Sequence, residues 1–144
     1  ELGAHVNQAQ DDGVMPLYIA AQFGHETIVR ALIDAGADVN KAMDVGVTSL
    51  YIAAQVGHEA VMRALLESSA VINQMVDDGT TPLFVATQNG HEAMVRALIE
   101  SGADVNAAEN NGWTPLSVSM TPVFNVAQGG HAAIVQLLRD AGAV

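Results

Sequence analysis

The sequence predicts an all-α repeat solenoid, with stacked pairs of short helices forming one domain over residues 1–144. Three observations predict it. The first is a 33-residue period, marked by Gly24-His25, Gly57-His58 and Gly90-His91. Ala37-Asp38-Val39-Asn40 and Ala103-Asp104-Val105-Asn106 stand two periods apart. Met15-Pro16-Leu17-Tyr18, Thr48-Ser49-Leu50-Tyr51 and Thr81-Pro82-Leu83-Phe84 fall on the same grid. A fixed period in the range of about 20–50 residues means stacked supersecondary units. The second is the helical spacing of apolar residues inside each period. The third is composition: 50% of residues are apolar but only 4% are aromatic, which suits thin layers of small, closely packed helices.

Each element of one period has a local cause. Asp12-Gly13 is a turn signal, since Gly accepts positive φ and Asp bonds its own backbone. Met15-Pro16 opens a short helix, because Pro at the first helical position gives up an N–H that has no partner there. In the later periods Thr precedes that position, and its hydroxyl can cap the first turn. Leu17, Ala20 and Ala21 form the inward face of this helix, which ends at Gly24. His25 begins a second helix, with Ile28, Val29, Leu32 and Ile33 as its buried stripe. Gly36 ends it, where a left-handed residue closes a helix. Ala37-Asp38-Val39-Asn40 leads to the next turn. The divisions are a remnant of a preceding repeat at 1–9, regular repeats at 10–42, 43–75 and 76–108, and a final repeat at 109–144.

The stretch from Thr81-Pro82-Leu83-Phe84 to Asn106 reads T-P-L-x-x-A-x-x-x-G-H-x-x-x-V-x-x-L-I-x-x-G-A-D-V-N. It resembles the ankyrin repeat, and the resemblance covers nearly the whole chain. That resemblance implies helix–turn–helix units with projecting β-hairpin finger loops. It also implies protein binding, through the fingertips and the inner helices. The position after each turn glycine, held by Val14, Val47, Thr80 and Trp113, resembles the family's contact surface. Phe23, Val56 and Asn89 precede Gly-His and are expected to line the same groove.

Departures from the pattern carry their own expectations. The family's His after Thr-Pro-Leu is replaced by Tyr18, Tyr51 and Phe84, so an aromatic packs there instead. Ser69 stands where glycine ends the second helix, at a cost of about 1 kcal/mol if the left-handed conformation is kept. Val71 replaces the Asp of Ala-Asp-Val-Asn, so the junction between the second and third repeats is expected to be the softest. In the fourth repeat Thr114-Pro115-Leu116 is on the grid, but Gly130-His131 arrives seven residues late. Thr121-Pro122-Val123-Phe124 restores the spacing, so Thr121 is expected to open the short helix. Residues 114–120 then lengthen the finger that carries Trp113. The competing reading, a helix from Pro115 through 122, places a Pro in its interior at a cost of about 3 kcal/mol.

The chemistry of the side chains narrows the function classes. With 16 acidic against 5 basic residues and a net charge of −11, the chain is a poor match for a nucleic-acid backbone or an anionic membrane. No Cys is present, so there is no disulfide framework and no thiolate metal site, and an intracellular setting is slightly favoured. Neither a signal peptide nor an apolar run near the roughly 18 residues of a membrane span is seen. His25, His58, His91 and His131 share one repeat position, so stacking spaces them about 10 Å apart. That is too far to share a metal at about 2.1 Å per bond, and a structural role is expected. Ser117 and Ser119 have no His-Asp pairing aimed at them, and no phosphate loop or His-Glu-x-x-His occurs, so neither catalysis nor a cofactor is expected.

The remaining charges divide into two groups. Glu26/Arg30, Glu59/Arg63 and Glu92/Arg96 are pairs four apart in the second helices and read as a solvated outer face. The turn acids Asp11, Asp12, Asp44, Asp77, Asp78 and Glu109 have no such partners. They read either as turn formers or as an acidic comb for a basic protein or peptide. Trp113 reads either as a binding anchor or as packing under the inserted loop. The chain opens on Glu1, and Gly3-Ala4-His5-Val6-Asn7 matches a repeat's exit loop, as in a fragment of a longer array. The uncapped N-terminal repeat is expected to fray or to associate end to end. Arg139, where Ile33, Leu66 and Ile99 stand in the other repeats, partly adapts the last helix as a cap. The leading reading is a protein-binding module; the alternative is a structural spacer within a longer array.

Overall fold

The structure is a computed structural model, and it describes residues 15–121 and 131–144. Asp11, Asp12, Val14 and the expected helix start at Thr121-Pro122 lie wholly or partly outside those residues. The chain divides into two compact units between Val71 and Ile72. The division falls two residues after Ser69, in the loop where the sequence departs from glycine.

Among the described residues, unit one holds two helix pairs. Helix α1 (Pro16–Gln22) pairs with α2 (Glu26–Asp34), and α3 (Ser49–Val56) pairs with α4 (Glu59–Glu67). The pairs stack in parallel ranks, α1 against α3 and α2 against α4. Unit two holds α5 (Pro82–Gln88) with α6 (Glu92–Glu100), and α7 (Pro115–Ser119) with α8 (His131–Asp140). There α7 packs on α5 and α8 packs on both α6 and α7. All elements among the described residues are helical, as the fold class requires.

Caps set the helix starts. The hydroxyl of Thr48 accepts the Tyr51 N–H at 3.2 Å, and that of Thr81 accepts the Phe84 N–H at 3.1 Å. Met15 has no such group, so Pro16 alone marks the first start. Burial follows the expected faces on the short helices: Leu17, Ala20 and Ala21 are buried. So are the aromatics that replace histidine in the second and third repeats, Tyr51 and Phe84. Each fully buried large aliphatic side chain, such as Leu50 or Leu65, contributes about 1.5–3 kcal/mol.

Ser69 does keep the left-handed conformation, at φ 69°, while Gly36 holds the matching place in the first repeat at φ 95°. The exit loops are stapled one to the next by asparagine. In unit one Asn40 donates to the Ser69 carbonyl at 3.4 Å and accepts the Val71 N–H at 2.7 Å. In unit two Asn106 does the same to Gly142 at 3.2 Å and Val144 at 3.1 Å.

Three expectations are corrected. Residues 114–120 are not a lengthened finger. They form α7, closed by a reciprocal capping box in which Thr114 Oγ1 accepts the Ser117 N–H and Ser117 Oγ accepts the Thr114 N–H. The helix stops at Ser119, so Pro122 is never in its interior and the steric objection does not arise. Second, Ile28 is 50% exposed and Ile33 is only half-buried, so the stripe of α2 narrows to Val29 and Leu32. Third, the loops show no strands among the described residues. Each is closed by one backbone pair across a tight turn, Met43 N–H to Val47 O at 2.8 Å, Val76 to Thr80 at 3.0 Å and Glu109 to Trp113 at 2.9 Å. One closing pair is too short for a ladder.

Candidate interaction surfaces

In unit two, two consecutive loops are joined into one plate. Asn110 donates its backbone N–H to the Asp78 carbonyl at 2.9 Å and its side-chain amide to the Asp77 carbonyl at 3.0 Å. Gly79 makes room for this: a Cβ there would lie 2.9 Å from the Asn110 nitrogen. Within the fourth loop, Glu109 Oε1 accepts the N–H groups of Asn111 at 2.7 Å and Trp113 at 3.0 Å. The backbone of Trp113 is thus held at both its N–H and its C=O, while its side chain is 47% exposed.

The turn acids divide by what they touch. Asp78 Oδ1 accepts the Thr80 N–H at 2.9 Å and the Thr80 hydroxyl at 2.7 Å. These bonds, the hydroxyl's first, hold the Asp78 carboxyl below its ordinary value. Glu109 is likewise spent on its own loop. Asp44 and Asp77 are exposed, and their carboxylates make no bond among the described residues. Asp78 and Glu109 therefore build the turns, whereas the carboxylates of Asp77 and Asp44 stand in solvent. Thr80 is buried, with its hydroxyl committed to Asp78, so it offers no side chain to a partner. Asn89, the residue after α5, is half-buried.

In unit one the groove positions are apolar and open. Phe23 is 63% exposed and Val56 is 44% exposed, and both end a short helix. Phe23 stacks on His25 with ring centroids 6.4 Å apart. Val47 is half-buried beside exposed Asp44. Val45 between them is 60% exposed and was missed from the sequence. It adopts φ 59°, an outlier for a β-branched residue. The signal was there: Asp78 and Asn111 hold that place in the third and fourth loops.

The shared histidine position has a structural task in unit one. His58 Nε2 lies 3.1 Å from the Gln22 carbonyl, and its ring covers Gly24, where any Cβ would fall 2.6 Å from Nδ1. On the second helices the expected ion pairs form. Arg63 reaches Glu59 and Arg96 reaches Glu92, both at 2.9 Å. Arg30 meets Glu26 at 2.9 Å and Glu67 of the next pair at 3.2 Å, and these two carboxylates raise its pKa. Exposed pairs of this kind are worth only a few tenths of a kcal/mol each. Among the described residues no cluster of three or more acidic or histidine side chains could hold a metal, and no helix is long and apolar enough to cross a membrane.

A family model for ankyrin repeats (3 copies) matches residues 2–76 and again residues 69–144. The chain belongs to the ankyrin repeat family. Ankyrin repeats are in general protein–protein interaction modules and a non-enzymatic family. A search of curated proteins gave no match. In ankyrin terms, the plate of unit two joins the third and fourth fingers, and Phe23 and Val56 of unit one sit at the ends of inner helices.

Proposed function

We propose that this ankyrin domain binds a basic protein or peptide, with Trp113 as the anchor and Asp77 as the charge that selects it. The observation that carries the reading is a half-exposed indole on a backbone held at both ends. An anchor fixed before binding loses little entropy when it is covered. Aromatic anchors of this type dominate interface energetics. Asp77 and Trp113 belong to the two loops that Asn110 joins, and a carboxylate and an indole face each attract a cationic side chain. The apolar pair Phe23 and Val56 supports a contact of its own on unit one. The net charge of −11 works in the same direction, since it speeds encounter with a positive partner and repels acidic ones.

Trp113 is the sole tryptophan, so its fluorescence reads its own burial. A synthetic peptide rich in Lys and Arg should shift the emission to the blue and saturate, and the Trp113→Ala variant should bind it at least tenfold more weakly. A glutamate-rich peptide should do nothing. Equal responses to both peptides, or full affinity without Trp113, would sink the proposal.

A further inference from the structure

Asparagine is the side chain with which this fold ties one loop to the next. In unit one Asn40 bonds the Ser69 carbonyl and the Val71 N–H. In unit two Asn73 accepts the Asp104 N–H at 2.9 Å, Asn106 reaches Gly142 and Val144, and Asn110 reaches the Asp77 carbonyl. Asn111 is different. It is exposed, and its side-chain amide reaches Glu109 Oε2 within its own loop at 3.3 Å, long for such a bond. It is also followed by glycine. Gly112 is exposed, and a Cβ placed on it would meet nothing within 4 Å.

An asparagine before a glycine carries both partners of a ring closure. They are its own amide carbon and the next backbone nitrogen, with no β-carbon to crowd the approach. In the fourth loop one residue engages both partners. The Glu109 carbonyl accepts the Gly112 N–H at 2.8 Å, and the Glu109 carboxylate accepts the Asn111 amide together with the Asn111 N–H. Ring closure therefore needs a local opening of the turn, which costs least in an exposed loop closed by few bonds. The other such pair among the described residues, Asn89-Gly90, is held by the end of a helix. Asn89 is half-buried after α5 and donates its N–H to Val85, and Gly90 donates to Thr87.

We infer that Asn111 is a site of self-modification by deamidation, with Glu109 as the residue that restrains it. The Gly112 nitrogen gives its proton to solvent base and bonds to Asn111 Cγ. The Cγ–Nδ2 bond breaks, and the amide nitrogen takes a proton from water and leaves as ammonia. Water then adds to either carbonyl of the cyclic imide and breaks its C–N bond, giving aspartate or isoaspartate. Water is the sole co-reactant. Either product sets a carboxylate beside Glu109 where an amide donor stood, and two carboxylates there repel. Isoaspartate also runs the backbone through one extra carbon, inside a turn closed by Glu109 with Gly112 and Trp113. Glu109 Oε1 then releases the Trp113 N–H, which it accepts at 3.0 Å in the unmodified loop. The change is irreversible in water and falls on the loop that carries the sole tryptophan. This inference concerns the loop's own chemistry and stands whether or not Trp113 meets a basic peptide.

Peptide mass spectrometry on the whole chain, sampled over time in warm neutral buffer, tests it, with circular dichroism as the check on folding. Deamidation should appear at Asn111 before Asn89 and before the four tying asparagines. It should run faster in alkaline buffer, because the ring closes through a deprotonated nitrogen. Glu109→Ala should react about fivefold faster, the change in population that one hydrogen bond controls. Glu109→Gln, whose amide oxygen still accepts, should fall between that variant and the parent. In the aged parent the Trp113 amide hydrogen should exchange faster than in Asn111→Gln treated alike, because glutamine must close a larger ring and stays intact. Asn111 left whole while Asn89 or a tying asparagine converts would overturn the site. A rate unmoved by Glu109→Ala would overturn the restraint. Unchanged Trp113 exchange in the isoaspartate form would overturn the release.

Discussion

Side chains that break the repeat's own rules define this molecule at the residue scale. Ser69 carries φ 69° where its counterparts Gly36 and Gly102 stand at φ 95°. A left-handed L-residue costs about 1–2 kcal/mol, and glycine returns roughly half of that as unfolded-state entropy. Ser69→Gly is therefore expected to stabilise the domain by about 0.5–1 kcal/mol, seen as a rise of about 2–3 °C in Tm. A lower Tm would show that the Ser69 side chain has a role the backbone does not reveal. Asp78 gives a pH expectation. Its carboxyl is held below the ordinary Asp value by the bonds from Thr80. The stabilisation is then fully present above about pH 4, the unfolded value, and is lost as pH falls through the lower folded value. The Thr80 amide resonance should hold its position at pH 5 and move as pH falls below the ordinary Asp value. In Asp78→Ala that acid transition should vanish; its persistence would assign the titration to another group.

At the scale of elements, α7 shows how a local motif can outvote a longer-range spacing argument. The Thr-to-Gly-His distance left residues 114–120 to a loop, and the helix start expected at Thr121 lies outside the described residues. The pair Thr114 and Ser117, three residues apart and bonded both ways, closes a first turn within 114–120 whatever that distance. Leu116 and Ser119 are then buried where the short helix packs on α5 and α8. Thr114→Ala should cost about 0.5–2 kcal/mol, the usual value of a lost N-cap. Deleting residues 114–120 should unfold the last repeat, since it removes the helix and not a loop. Urea melts of both variants decide this. A deletion variant as stable as the parent would mean that a later segment can replace α7.

For the whole molecule, charge is the dominant property. A net charge of −11 on 144 residues gives the proposed preference for a basic partner its longest-range term. Affinity for a Lys/Arg peptide should fall steeply between about 50 and 500 mM salt as the Debye length shrinks from roughly 14 to 4 Å. The Asp77→Asn variant should bind more weakly at low salt and show a shallower slope, with the two curves converging at high salt. Parallel curves would remove Asp77 from the contact. The division between Val71 and Ile72 also belongs to this scale, and it falls in the loop that the sequence marks as weakest through Ser69 and Val71.

What the sequence determined by itself is what repeats. The period, the Pro16 and Pro82 helix starts, the Thr48 and Thr81 caps and the Gly36 stop are local chemistry, repeated on a grid, and each is visible without knowing its neighbours. The Glu–Arg pairs were legible for the same reason, since partners four apart on a helix meet wherever the helix goes. Tertiary structure decided what depends on a neighbour. Ile28 and Val61 hold the same repeat position, yet one is half exposed and the other buried, because among the described residues only Val61 has a preceding helix pair packed against it. Thr80 and Trp113 likewise share a position, and only folding shows that one hydroxyl turns in to Asp78 while the indole stays out. Burial and loop geometry are set by what lies across a contact, and one repeat read alone does not contain that information.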